Sequence, residues 1–421
     1  MIRSVVVVAA VLLALPLVAD TRITSVFKPP VTGKIRLLDQ QGRLEVVVPG
    51  SEVPERVPLD EIEDIVCLAK DGEPVKGDEP NPTESPVRVC LVNGDVLYGT
   101  PDNGPADDDE SFILRSPRFG EILISIEMIQ RIECVAACKP NELPPLDAKA
   151  EHDVVYFAAD GNKPAQVDPK SELVRVVKDG VFLYNEILDG DNLEGNRYAW
   201  NRLRGVVCFR GPHDAYDKLL GIAVLRDGTV LRGAIRSWAD GKVELDHKVL
   251  GKNLVLEESK LMSLTMKNGR YQYLSDLEYA NEPQERPYYL PGDFKYAEYL
   301  FKARRDQAQG GGPLSIRGKT YAKGLGVHAI SRLNFDLNRG YKRFLAEVGV
   351  DDSAGDLASV EFKVYGDGKL LWESGVLRRS SGAKAVDLEV LNVSELVLEV
   401  TAADNADIQD RANWANAKVV R

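Results

Sequence analysis

The sequence predicts an all-β chain in which several small units of one kind precede a larger all-β domain. Three observations carry this reading. First, Leu91-Val-Asn93-Gly94-Asp-Val96-Leu97-Tyr-Gly99 is answered by Leu225-Arg-Asp227-Gly228-Thr-Val230-Leu231-Arg-Gly233. Asn-Gly and Asp-Gly between alternating apolar residues are favoured two-residue hairpin turns. Second, the units end alike: Leu59, Ile62 and Ile65 precede Cys67, Ile126, Ile129 and Ile132 precede Cys134, and Trp200, Leu203 and Val206 precede Cys208. Third, runs in the last part of the chain alternate with the period of a strand, as in Leu333-Asn-Phe335-Asp-Leu337 and Val360-Glu-Phe362-Lys-Val364.

The first residues stand outside this pattern. Arg3, an apolar run from Val5 to Val18, Pro16, and Ala19 before Asp20 have the charge, length and exit of a secretory signal. The run is shorter than the roughly 18 residues a membrane span needs, so residues 1–19 are expected to be cleaved, with no span left behind. No Cys follows Ala19 to accept a lipid, and the product is expected to be secreted, periplasmic or held at the cell surface. The 421 residues, 44% hydrophobic, are enough for several domains with ample core. A net charge of -12 without any Lys/Arg cluster argues against a nucleic-acid partner.

The repeated units are expected at 20–69, 86–138, 150–210 and 218–270. In the second, the order is a hairpin about Asn93-Gly94, strands at Ser111 to Arg115 and Glu121 to Ile126, a helical turn, and a last strand through Ile132 to Val135. The i, i+3, i+6 spacing of each tail reads as one turn of 3₁₀-like helix leading into a last short strand, since side chains three apart line up in such a helix. The fourth copy keeps Leu261 and Leu264 and has Met266 where the others have Cys. A position filled by Cys, Cys, Cys and Met calls for a soft apolar side chain, so buried thiols are expected there. Cys134 and Cys138 are close enough in sequence for a disulfide to stay open as an alternative; the odd total of five, with Cys90, argues against a zinc site. Five short strands with a helical turn before the last resemble SH3-like or Sm-like small barrels.

Pro and charge mark linkers at 70–85 and 139–146, and 103–110 is an acidic insertion. A longer boundary, 282–313, carries Pro283, Pro287, Pro291 and three glycines at 310–312, although Phe294 to Gln309 has the aromatic and basic residues of a short docked helix. The last domain is expected at 272–421, its core after Pro313 and the segment Tyr273 to Leu290 supplying a leading strand.

Within that domain Gly318-Lys-Thr-Tyr321-Ala-Lys323-Gly324-Leu-Gly326-Val327-His328 turns where side chains would clash and then enters a strand. It is followed by Phe344 to Asp352, a strand ending in paired acids, by Gly366-Asp367-Gly368 closing another, and by Asp410-Arg411-Ala-Asn413-Trp414-Ala-Asn-Ala417. In this order these pieces resemble the NPCBM family of carbohydrate-binding modules, over roughly the last third of the chain. The resemblance implies a galactose-binding-like jelly-roll β-sandwich and a glycan or cell-surface polysaccharide as partner.

Nothing in the sequence assembles a catalytic centre. The four histidines, 152, 213, 247 and 328, lack metal-ligand spacing, and there is neither a Gly-x-Ser-x-Gly elbow nor a phosphate loop. Asp351 and Asp352, adjacent on a strand, point to opposite faces and make a poor glycosidase pair. The chain is therefore expected to recognise a glycan without turning it over, with Tyr321, Lys323, His328, Asp352, Trp372 and Arg411 as carbohydrate-binding candidates. Each has a structural alternative: His328 as a strand histidine satisfied by backbone, Trp372 and Trp414 as core, Asp410 and Arg411 as an ion pair. No cofactor is expected. Asp351, Asp352, Asp404, Asp407 and Asp410 fall at strand ends where a structural calcium is conceivable, but turns use the same residues and no calcium-loop motif is present. Two rivals remain: an assembly protein of the envelope that uses barrels and sandwich as protein-interaction modules, and a glycoside hydrolase or its accessory.

Overall fold

The computed structural model describes residues 20–421 apart from 141, 145–150, 160–163, 186–188, 190–192, 211–218, 249, 282–300, 405–406 and 408. The expected signal lies outside the described residues, as does most of the Pro-rich boundary. The chain divides into two compact units, one ending at Gly269 and the other spanning Arg270–Arg421.

In the first unit β1 (Asp20–Ser25), β2 (Val31–Leu38), β3 (Arg43–Val47) and β4 (Glu55–Pro58) lead through a 3₁₀ turn, Leu59–Glu61, into β5 (Ile62–Leu68). The first four strands pair antiparallel in succession and β5 returns to β1. The same order and pairings recur three times. The second quintet is β6 (Val87–Leu91), β7 (Val96–Asp102), β8 (Ser111–Ser116), β9 (Gly120–Ser125) and β10 (Ile129–Cys134). The third is β11 (Asp153–Phe157), β12 (Gln166–Val177), β13 (Gly180–Tyr184), β14 (Asn196–Ala199) and β15 (Leu203–Val207). The fourth is β16 (Leu220–Leu225), β17 (Val230–Ala239), β18 (Lys242–His247), β19 (Lys252–Glu257) and β20 (Leu261–Lys267). Fifth strands also pair with one another, β5 with β20 and β10 with β15, so one apolar core runs through all four quintets.

The tail spacing has two causes where the sequence pointed to one. Only the first step of three is helical: the 3₁₀ turns are single, at Leu59–Glu61, Ile126–Met128, Trp200–Arg202 and Glu258–Lys260. The second step is a β-bulge, because the register against the first strand slips by one residue between Ile62 and Asp64, Ile129 and Arg131, Leu203 and Gly205, and Leu261 and Ser263. A bulge places residues three apart on one face of a strand. The last strand of the second quintet accordingly starts at Ile129 rather than Ile132. All five cysteines are buried and unpaired, Cys134 and Cys138 included. Burial pushes the Cys67 and Cys134 thiols up to about 12, which makes them poor nucleophiles.

The second unit is two packed sheets. One holds β23 (Arg304–Arg305), β26 (Gly324–His328), β33 (Arg411–Val420), β28 (Arg343–Val350) and β31 (Lys384–Glu389) in that order, with β21 (Tyr271–Tyr273) also on β33. The other runs β22 (Ala280–Asn281), β27 (Ser331–Asp336), β32 (Glu395–Ala402), β29 (Ser359–Gly366), β30 (Lys369–Arg378). A hairpin of β24 (Leu314–Ile316) and β25 (Lys319–Tyr321) stands apart. Alternation sets the inner faces: Phe344, Ala346 and Val348 from β28 meet Val360, Phe362 and Val364 from β29 in a single core. Trp414 lies fully buried there, edge-on to Phe362 at 4.9 Å between ring centres. The leading segment supplies two short strands, β21 and β22, rather than one. Residues 301–309 hold β23 and no helix; the rest of the expected docked helix lies outside the described residues.

Candidate functional site

Three of the six candidate residues gather at one end of the sandwich, where β26 stops and β33 begins. His328 and Arg411 are register partners on these strands. His328 is buried, its Nδ1 2.5 Å from the Ala329 carbonyl and its ring 4.4 Å from that of Phe301. A carbonyl accepts only, so Nδ1 carries the proton. Arg411 is half-buried and donates from Nη1 to the Ser353 carbonyl at 2.9 Å. It runs beside Gly310, where a Cβ would come within 3.2 Å of the guanidinium, so the glycine is there for close approach. One backbone acceptor uses one of the five guanidinium donors, which leaves Arg411 able to bond hydroxyl or carboxylate oxygens at the loop end.

Asp352 sits next to this group and is spent on backbone. Its two oxygens accept the Arg317 and Gly318 amides at 2.9 and 2.8 Å, pinning the β24–β25 turn, whose central residues have φ of 52° and 79°. Asp351 is buried and equally committed, accepting from Ser353 N–H at 2.9 Å, Ser315 N–H at 3.3 Å and Asn413 Nδ2 at 2.6 Å. Asp404 accepts from Ser359 Oγ and Arg378. Asp410 and Arg411 do not pair: Asp410 Oδ1 takes the Ser359 amide at 2.9 Å while Oδ2 is buried without a hydrogen-bond partner among the described residues. Burial, and then the neighbouring Asp407 and Asp404, push its carboxyl up to about 7 against the Ser359 bond. No group of three or more Asp, Glu, His or Cys side chains among the described residues is arranged to hold a metal ion.

The other three candidates lie elsewhere. Tyr321 is buried on the hairpin, its hydroxyl donating to Glu347 Oε2 at 2.9 Å beneath the Lys319 ammonium, which bonds both Glu347 oxygens. Lys323 bridges Asp276 and Asp306 at 2.7 and 2.6 Å; burial lowers its pKa, but the two carboxylates outweigh this and raise it. Trp372, on the second sheet, packs half-buried against the core with Lys384 5.4 Å over its ring. Lys384 also donates to the Ser374 carbonyl at 2.7 Å, covering part of β30, the edge strand of its sheet. Phe301 lies in the aromatic and basic stretch expected as a short docked helix, and nothing there marked it as the partner of the His328 ring. Asn413 was legible only as part of a motif, not as the anchor of Asp351.

Residues 270–420 match the NPCBM/NEW2 domain family. A Renibacterium salmoninarum protein named for endo-α-N-acetylgalactosaminidase activity is 33% identical over 118 residues, 28% of this chain and 8% of that one. Alpha-1,3-galactosidase B of Akkermansia muciniphila is 35% identical over 119 residues, 27% of this chain and 15% of that one. This chain thus spans well under two thirds of both relatives. Among solved structures, a CBM51 module of Clostridium perfringens GH95 in complex with methyl-galactose is 25% identical, covering 36% of this chain and 99% of that chain at a TM-score of 0.31.

Proposed function

Residues 270–420 are an NPCBM domain, and from that premise we propose that the chain is an exported, non-catalytic glycan-binding protein. The family is one of carbohydrate-binding modules, and the domain recurs in curated glycosidases. The ligand is a galacto-configured sugar of a surface or secreted polysaccharide, a class supported by the names of the two curated relatives. Binding takes place at the sandwich end built around Arg411. The observation that carries this is the half-buried Arg411, which donates to the Ser353 carbonyl at the strand position paired with His328: a directional donor with bonding capacity left over suits hydroxyl recognition. Tyr321, Asp352 and Lys323 shape the surrounding loops, and Trp372 is a secondary platform on the other sheet. In this reading the four quintets before it are copies of one SH3-like or Sm-like unit, and residues 1–19 act as a secretory signal that takes the protein out of the cytoplasm.

The test is a glycan array followed by calorimetry on the full chain, with Arg411→Met retaining the aliphatic stem. Saturable binding to galacto-configured glycans, weakened at least about tenfold by Arg411→Met, is the expected outcome. Binding indifferent to Arg411 moves the site elsewhere, and uniform absence of glycan binding sinks the reading.

A further inference from the structure

The four quintets share a weakness, the outer edge of their fourth strand. Among the described residues β4, β9, β14 and β19 each pair on one side only, with β3, β8, β13 and β18. An unpaired edge is a template for another chain, and proteins blunt such edges with proline, lysine or shortness. Hydrogen-bonded and non-bonded residues alternate in antiparallel pairs, so one bond fixes which amides face outward. In the first quintet Leu59 N–H donates to Gly42 O, so Arg56 and Pro58 face out, and proline has no amide to offer. In the second, Ile126 N–H donates to Glu110 O, so Glu121 and Leu123 face out; Lys252 Nζ covers the Glu121 carbonyl at 3.3 Å. In the third the edge strand has four residues.

The fourth is six residues long without a proline, and its one lysine, Lys252, reaches across to Glu121. Glu258 N–H donates to Gly241 O at 2.8 Å, so the backbone groups of Asn253, Val255 and Glu257 point away from β18. The side chains of the same three residues are exposed, Val255 at 56%. Val255 and Glu257 line a cleft of about 500 Å³ whose other wall includes Pro80, Glu84 and Arg118. Arg118 is neutralised by Asp227, to which it donates from Nε and Nη2 at 3.0 and 2.7 Å. The carboxylates of Glu79, Glu84 and Glu257 have no ion-pair partner among the described residues, against one lysine, Lys260, in the same lining.

We propose that the β19 edge is a strand-addition site for an extended polypeptide segment that presents, two residues apart on one face, an apolar side chain against Val255 and a basic one against Glu257 and Glu84. Main-chain bonds to residues 253, 255 and 257 supply the affinity, and the alternating side chains supply the choice of partner. The site lies wholly in the first unit and does not depend on the glycan reading.

The probe is a fluorescein-labelled octapeptide Val-Thr-Lys-Thr-Val-Thr-Lys-Thr, which sets valine and lysine in turn along one face of a strand, added to the full chain and followed by anisotropy. Comparators are the same peptide with alternate backbone amides N-methylated and the peptide with glutamate in place of lysine. The expected result is saturable binding of the first probe and at least about tenfold weaker binding of the other two. Glu257→Lys and Val255→Pro should each reproduce a loss of that size, with circular dichroism checking the fold. Absence of saturable binding overturns the proposal, as does an N-methylated peptide that binds as well, or a loss seen with neither substitution.

Discussion

Glu258 occupies the position that is Leu59, Ile126 and Trp200 in the other three quintets, and it is as buried as an apolar residue would be, 1% exposed. Its Oε2 accepts from Trp238 Nε1 at 3.1 Å, while Oε1 has no hydrogen-bond partner among the described residues. Burial pushes the carboxyl from 4.5 up to about 6, the tryptophan bond opposing only part of this. A carboxyl whose pKa is higher in the folded state binds its proton more tightly there, so stability is greatest below pH 4.5, falls as pH rises through about 6, and stays reduced above. The shift of roughly 1.5 units corresponds to about 2 kcal/mol. Glu258→Gln keeps the acceptor for Trp238 and removes the charge. At pH 8 it should raise the unfolding temperature of the first unit by about 4–8 °C, on the scale of about 2–4 °C per kcal/mol for a body of this size, and at pH 4 by almost nothing. Calorimetric scans of both proteins from pH 4 to 8 isolate the effect, since all other titrations cancel in the difference. A difference that does not change with pH, or that grows toward acid, would refute the account of Glu258 as a buried charge.

The remaining predictions concern other parts of the chain. Trp414→Ala should cost the second unit about 3–5 kcal/mol in denaturant unfolding, because the indole is fully buried between Phe362 and Phe344. Glu133→Ala should cost the first unit about 3–5 kcal/mol, because it leaves the buried guanidinium of Arg88 without its carboxylate partner. Lys418, buried beside Tyr271 and Tyr273, has its ammonium pushed down to about 8 by desolvation. A lowered lysine pKa means stability is gained as pH rises from about 8 toward 10.5, so Lys418→Met should stabilise the second unit near pH 7 and lose that advantage above pH 10 in thermal scans.

How much of this was legible in the sequence depended on whether a residue's fate was decided nearby or far away along the chain. The hairpin at Asn93-Gly94 and the repeated tails are local signals, and both appear where the pattern put them. The tail is one helical turn leading into a short strand, as its pattern indicates, but its second step of three comes from a β-bulge, which produces the same spacing as a 3₁₀ turn, and only the partner strand shows which one operates. The acids Asp351 and Asp352 looked like ligands because their own stretch gives no sign of the amides they cap, which arrive from the β24–β25 hairpin more than thirty residues upstream. Trp372 and Lys323 looked available for the same reason: Lys384, Asp276 and Asp306, which occupy them, are distant in sequence. Arg411 differs, since its neighbours Gly310 and Ser353 position the guanidinium while using only one of its donors. A polar side chain whose partners satisfy it is part of the scaffold; one whose partners fix its place and leave bonding capacity over is equipped to meet a ligand, and by that criterion Arg411 is the strongest of the six candidates.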